Sequence, residues 1–200
     1  MALPAFTLSY DYRCPFAKNI HLHVISALRA GAEFDVTFAP WTMSQGHRTP
    51  GSPDVWDDPS KDPELLSLAY STSIRDLQAD HFLDAHEALF LGRHERGIRL
   101  ISHEEIAEVL SSTGVDVESA RADVEDRRPH EVIGETFRHF ERLQAFGVPT
   151  FIVNKGATFV RYMKPPTEDA ANSIEIISSL VTLMADSPDL NEFKHTQLPN

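Results

Sequence analysis

One cysteine, Cys14, stands in a chain of 200 residues. It lies in the run Tyr10-Asp11-Tyr12-Arg13-Cys14-Pro15-Phe16-Ala17. A short strand-like stretch, Phe6-Thr7-Leu8-Ser9-Tyr10, precedes it, and a helical pattern opens at Pro15. Proline is best tolerated in the first turn of a helix. Cys14 therefore sits at or just before the first helical residue. Unpaired backbone N–H groups and the positive end of the helix dipole face its sulfur there. Such a place stabilises a thiolate, and Arg13 adds a positive charge. A depressed thiol pKa and a reactive sulfur are the expectation. The competing reading is a buried cysteine that acts as a small hydrophobe.

The ten histidines are the other residues with chemistry to offer. His-Glu pairs occur at His86, His94, His103 and His130. None has a second histidine where a zinc-protease helix needs one: Phe90, Ile98, Ala107 and Gly134 stand there. Asp80, His81, Asp84 and His86 are usable ligands, but His86 points away from the face shared by His81 and Asp84. No metal site is assigned, and a solvated polar surface is expected there. His21 lies two helical turns from Cys14, about 10 Å along the axis, too far for a direct Cys–His pair.

The elements that must place Cys14 follow from periodicity. Phe16, Ile20, Val24, Ala27 and Leu28 recur at helical spacing over residues 15–30, and Gly31 ends that run. Residues 35–40 alternate and read as a second strand. This is a βαβ unit, which places Cys14 at the carboxyl edge of a parallel strand pair, where ligands of open α/β folds bind. Residues 41–63 are rich in proline and glycine and read as a loop. Helical pieces follow at 64–70, 74–77 and 82–91. Ser102 and Glu105 form a capping box, and Asp116 caps the next helix. No strand pattern occurs between 54 and 129. A helix then runs from about residue 130 to Leu143. Phe151-Ile152-Val153 is a buried-type strand, Asn154-Lys155-Gly156 a turn, and 157–162 the return strand. Thr167 is the expected cap of a last helix containing Ile174, Ile177, Leu180, Val181 and Met184.

Composition narrows the function. Eighteen Lys and Arg against 30 Asp and Glu give a net charge of −12. That leaves no cationic surplus for nucleic acid or for anionic membranes. No stretch approaches membrane-span length, no signal-peptide pattern opens the chain, and one cysteine rules out an internal disulfide. A cytoplasmic location is the expectation. With 42% hydrophobic residues, the chain can build one core with a helical appendage.

The β-α-β…α-β-β-α order, the Cys14-Pro15 pair at a helix start and Val148-Pro149-Thr150 before a strand together resemble the thioredoxin fold. The helical segment after the second strand resembles the DsbA family. Four runs resemble a cytosolic branch related to mycothiol-dependent reductases: Asp11 to Ala17, Phe38 to Ser44, Asp54 to Pro59 and Asn191 to Thr196. The resemblance implies an α/β thioredoxin fold with an inserted helical domain. The thioredoxin part would comprise residues 1–53 and 130–187, the insertion 54–129 and a tail 188–200. It implies a cis Pro149 facing Cys14, and Val148 pairing with substrate backbone. Arg13, Pro15, Phe16, Trp41, Val148, Pro149 and Thr150 become candidate substrate-binding residues, with Cys14 the catalytic one. Ordinary core packing is the competing role for Phe16 and Trp41.

The family's Cys-x-x-Cys motif is broken here, because Ala17 replaces the second cysteine. Exchange passes through a mixed disulfide that needs a second thiol to resolve it. That thiol must come from outside, as in a monothiol glutaredoxin cycle. The expected function is a one-cysteine thiol oxidoreductase with mycothiol or glutathione as co-substrate and no tightly bound cofactor. A small thiol or disulfide is the expected partner, and a homodimer is left open. Two alternatives stand. One is an enzyme like kappa-class glutathione transferase or 2-hydroxychromene-2-carboxylate isomerase, which uses a bound small thiol without net redox change. The other is a redox-inactive binding protein.

Overall fold

The structure is a computed structural model and describes residues 3–197. Strand β1 (Phe6–Tyr10) leads into helix α1 (Pro15–Arg29) and strand β2 (Val36–Pro40), which pairs parallel to β1 with Phe6 opposite Val36. After helix α7 (Arg128–Arg142), β3 (Thr150–Val153) returns antiparallel to β1, and β4 (Gly156–Phe159) closes a hairpin on it. The sheet order is β2-β1-β3-β4, so the strand that feeds Cys14 is central. Helix α8 (Ala170–Asp186) packs against α1 on one face of the sheet.

Between β2 and α7 the described elements are helical: α2 (Met43–Gly46), α3 (Asp62–Leu77), α4 (Phe82–His94), α5 (His103–Leu110) and α6 (Val117–Glu125). One apolar core runs through the sheet and these helices, from Leu8 and Tyr10 to Tyr70 and Phe90.

Four details depart from the periodicity. The pieces expected at 64–70 and 74–77 are a single helix, α3. Ser71, Thr72 and Ser73 break the apolar pattern, yet all three are buried. Thr72 donates to the Leu68 carbonyl at 2.8 Å and Ser71 bonds the Tyr10 hydroxyl at 2.6 Å. A hydroxyl that bonds the preceding turn lets a polar residue stay in a buried helix. The loop at 41–63 contains the short α2 and a 3-10 turn at Pro59–Lys61. The return strand ends at Phe159, short of the expected residue 162. Asp169, not Thr167, caps α8, its carboxylate accepting the Ala171 N–H at 3.0 Å. The tail segment Asn191 to Thr196 holds no helix or strand, and Phe193 is 77% exposed.

Helix α7 meets the segment after β2 through Gly134, where an added Cβ would lie 2.9 Å from the Trp56 indole. The indole is buried, and the guanidinium of Arg138, one turn further along α7, lies 5.1 Å from its ring centroid. Gly134→Ala is therefore expected to cost about 1–3 kcal/mol through overpacking. Urea denaturation measures it.

Candidate functional site

Cys14 is the N-cap of α1, in extended backbone at φ −91° and ψ 116°. Its Sγ accepts the Ala17 N–H at 3.4 Å, one of the donors a helix start leaves unpaired. The thiol donates to the Val148 carbonyl at 3.3 Å. The Val148–Pro149 bond is cis, and both residues are buried. The structure thus brings Cys14 to the Val148–Pro149 bond, 134 residues away from it at Val148.

The turn that presents Cys14 is built on Asp11. Its carboxylate is buried and accepts four bonds. Three come from Arg13: its backbone N–H at 2.9 Å, its Nε at 3.0 Å and its Nη2 at 2.6 Å. The fourth is the Met43 N–H at 2.9 Å, from the segment after β2. Cys14 N–H donates to the Asp11 carbonyl at 2.9 Å. Arg13 continues to Ser44 Oγ at 2.8 Å and approaches Glu64 at 3.6 Å. Its charge is spent on this network. Arg13 also borders a cleft of about 510 Å³ with Met43, Ser44, His47, Arg48 and Lys61, and neither Cys14 nor Val148 lines that cleft.

The thiol pKa is the main correction to the sequence reading. It is raised above the ordinary value, not depressed. Burial is the largest cause, since Cys14 is only 6% exposed. The Ala17 and Phe16 N–H groups pull it down, and the Asp11 carboxylate pushes it up. The helix start acts as expected, but desolvation of a thiolate outweighs it.

The remaining candidates fall into two groups. Pro15 is exposed and Phe16 half-buried, at the surface beside Cys14. Trp41 is buried and stacks on Phe137 with ring centroids 5.0 Å apart. Thr150 is buried, its hydroxyl donating to the Gly147 carbonyl at 2.7 Å and its N–H to Ser9 Oγ at 2.8 Å.

Helix α4 grips the same turn. His94 Nε2 donates to the Tyr12 carbonyl at 2.8 Å. Deeper, three buried side chains form one line. The Ser9 carbonyl can only accept, so His21 Nε2 carries the proton at 3.1 Å. His21 Nδ1 then accepts from His86 Nε2 at 2.9 Å. His86 Nδ1 in turn accepts the Tyr12 hydroxyl at 2.7 Å. Burial holds both rings neutral, with the His21 pKa lowered to about 3 and that of His86 well below its ordinary value. His86 was expected on a solvated surface. It is buried because Phe38, Phe82 and Phe90 pack around its ring. Asp84, from the same sequence cluster, pairs with Arg29. No group of three or more potential metal ligands occurs among the described residues.

Residues 67–163 match the model of the DSBA-like thioredoxin domain family. Over that stretch the chain is similar to this family, and its sheet and inserted helices have the DsbA-like thioredoxin fold. The matched stretch runs from α3 through the Val148–Pro149 bond to β4 and does not include Cys14. Solved structures agree in fold. The DsbA of Pseudomonas aeruginosa is 19% identical with a TM-score of 0.58, over 90% of this chain and 81% of that chain. The cytosolic disulfide reductase DsbM from Pseudomonas aeruginosa, solved with GSH, is 15% identical with a TM-score of 0.61, over 90% and 100%. The oxidoreductase NmDsbA1 from N. meningitidis is 14% identical with a TM-score of 0.58, over 92% and 86%. A search of curated protein sequences finds no match. Among the described residues no helix is long and apolar enough to cross a membrane.

Proposed function

We propose that the protein is a one-cysteine thiol–disulfide oxidoreductase of the cytoplasm, with an external small thiol completing its cycle. The observation that carries this reading is the placement of Cys14 Sγ at the α1 start, 3.3 Å from the Val148 carbonyl. The sulfur therefore faces the segment against which a substrate backbone would lie in this fold. The similar DsbM, described as a cytosolic disulfide reductase and solved with GSH, supports the choice of a small thiol.

The chemistry balances with one protein sulfur. Cys14 loses its proton to solvent, and the thiolate attacks one sulfur of a disulfide. A Cys14 S–S bond forms, the substrate S–S bond breaks, and the departing thiolate takes up a proton. A second small thiolate then attacks the substrate sulfur of the mixed disulfide and releases Cys14. The electrons that reduce the first disulfide come from the incoming thiol, which leaves as a new disulfide.

Burial and the Asp11 charge raise the thiol pKa, and the protonated thiol donates to the Val148 carbonyl. A substrate N–H donating to that carbonyl would remove the acceptor and ease ionisation. The expected pH profile follows from the direction of the shift. Thiolate is scarce at neutral pH, so iodoacetamide alkylation of the native protein should still be climbing beyond pH 9.0, the ordinary thiol value. A plateau below that pH would contradict the buried, hydrogen-bonded thiol.

The direct test of function is catalysis of disulfide reduction by excess glutathione. The wild type should turn over and Cys14→Ser should not. A second reading, a binding protein whose cysteine is a spectator, is favoured by one observation, the near-complete burial of Cys14. It predicts identical, uncatalysed rates for the two proteins.

A further inference from the structure

The segment from Arg142 to Thr167 contains no Asp or Glu, in a chain that has 30 of them. It carries Arg142, Lys155, Arg161 and Lys164, and it includes Val148, Pro149 and strand β4. Arg161 occupies a distinctive place in it. Its guanidinium carbon lies 5.6 Å from the centroid of Phe16 and 5.9 Å from that of Phe159. Phe16 is two residues beyond Cys14, and Phe159 stands opposite Thr150 in the hairpin. Arg161 therefore bridges the two elements that flank the thiol.

Its backbone is fixed on both sides. The Val160 N–H donates to the Pro149 carbonyl at 3.1 Å, and Asn19 Nδ2 from α1 donates to the Tyr162 carbonyl at 3.1 Å. The guanidinium lies over both rings as a cation–π contact, which leaves its N–H donors for another partner. The ion pairs among the described residues engage other cations and leave Arg161 out. In a protein of net charge −12, Arg161 is exposed, lies over a ring two residues from Cys14 in sequence, and is held by no carboxylate. A planar guanidinium edge matches a carboxylate by two parallel hydrogen bonds.

We propose that Arg161 anchors a carboxylate of the small thiol or disulfide that exchanges with Cys14. The co-substrate class is then an acidic, peptide-like thiol rather than a neutral sugar-based one. This rests on the exchange reading above and adds a specificity-determining residue to it. The two phenyl rings and the backbone bonds on either side of Arg161 tie the anchor to α1 and to the Pro149 segment, so that a carboxylate on Arg161 presents the ligand's sulfur toward Cys14.

The test compares two disulfides that differ in charge. Mixed-disulfide formation on Cys14 is followed by intact mass with glutathione disulfide and with neutral 2-hydroxyethyl disulfide. Arg161→Ala should slow the reaction with glutathione disulfide about tenfold, the scale of one charge-assisted pair. The neutral reagent should change by less than about twofold, and Arg161→Lys should recover part of the loss. Equal losses with both reagents, or no loss with either, would overturn the proposal. Binding of S-methylglutathione, which cannot exchange, separates this claim from the claim it rests on. If the wild type exchanges with neither disulfide, yet binds S-methylglutathione in an Arg161-dependent way, the exchange reading falls and the anchor stands. If S-methylglutathione does not bind, or binds Arg161→Ala as well as wild type, the anchor falls.

Discussion

The unfolding free energy is expected to fall by about 3 kcal/mol between pH 6.5 and pH 5.0, from the buried His21–His86 pair alone. The folded pKa values of both are lowered by burial, that of His21 to about 3 from 6.5. Below pH 6.5 the unfolded chain binds protons that the folded chain refuses. The stability from neutral burial is full above the unfolded pKa and is lost as pH falls toward the folded one. Each ring contributes a slope approaching about 1.4 kcal/mol per pH unit well below pH 6.5. His23, His94 and His130 are shifted in the same direction and add to the trend. Urea titrations at intervals from pH 7.5 to 5.0 give the slope. His86→Leu should lower stability at pH 7.5, because Tyr12 and His21 lose a buried partner, and should also flatten the acid slope by about the contribution of one ring. A stability that is flat from pH 7 to 5 would mean that these rings are not buried neutral.

The second large effect is expected at Asp11. Asp11→Ala removes the acceptor of three Arg13 bonds and of the Met43 N–H. Truncating one partner of a mostly buried charged network costs about 3–5 kcal/mol, because the remaining charge and donors go unpaired. Asp11→Asn keeps one oxygen acceptor and should cost less. The consequence for Cys14 is specific. Asp11 holds the turn and raises the thiol pKa by its charge. In the fraction of Asp11→Ala that remains folded, alkylation at neutral pH should accelerate. A variant with wild-type stability and a wild-type alkylation rate would remove Asp11 from the account.

Asp11 also shows what could be read from sequence and what could not. Cys14 at the start of α1 was legible, because a strand end, a following proline and a helical period are all local signals. The capping geometry came out as expected. The direction of the thiol shift did not, because it depends on two things that no local pattern carries. One is the depth at which the sulfur is buried, against Val148, which is 134 residues away. The other is where the Arg13 charge goes. Asp11 lies only two residues before Arg13, and the short Asp-x-Arg spacing was a signal that could have been weighed.

His86 failed for a related reason. Its neighbours in sequence are polar, and Asp84 does sit on a surface with Arg29. The face that His86 shares with Phe82, Leu89 and Phe90 is the buried one. Its partners Tyr12 and His21 come from 74 and 65 residues away. The order of elements along the chain and the helical character of 54–129 were legible because they rest on period and length. Cap positions such as Asp169 were less so, since Thr167 offered an equally good side chain two residues earlier.

The central claim is that the one thiol of this chain accepts and returns a small thiol. Intact-mass measurement tests it directly, after incubation with glutathione disulfide at pH 8 and again after excess glutathione. One glutathione adduct is expected on wild type, none on Cys14→Ser, and loss of the adduct on adding thiol. If the native protein stays unmodified while the urea-unfolded chain is fully modified, Cys14 is a packed side chain and the exchange function is wrong.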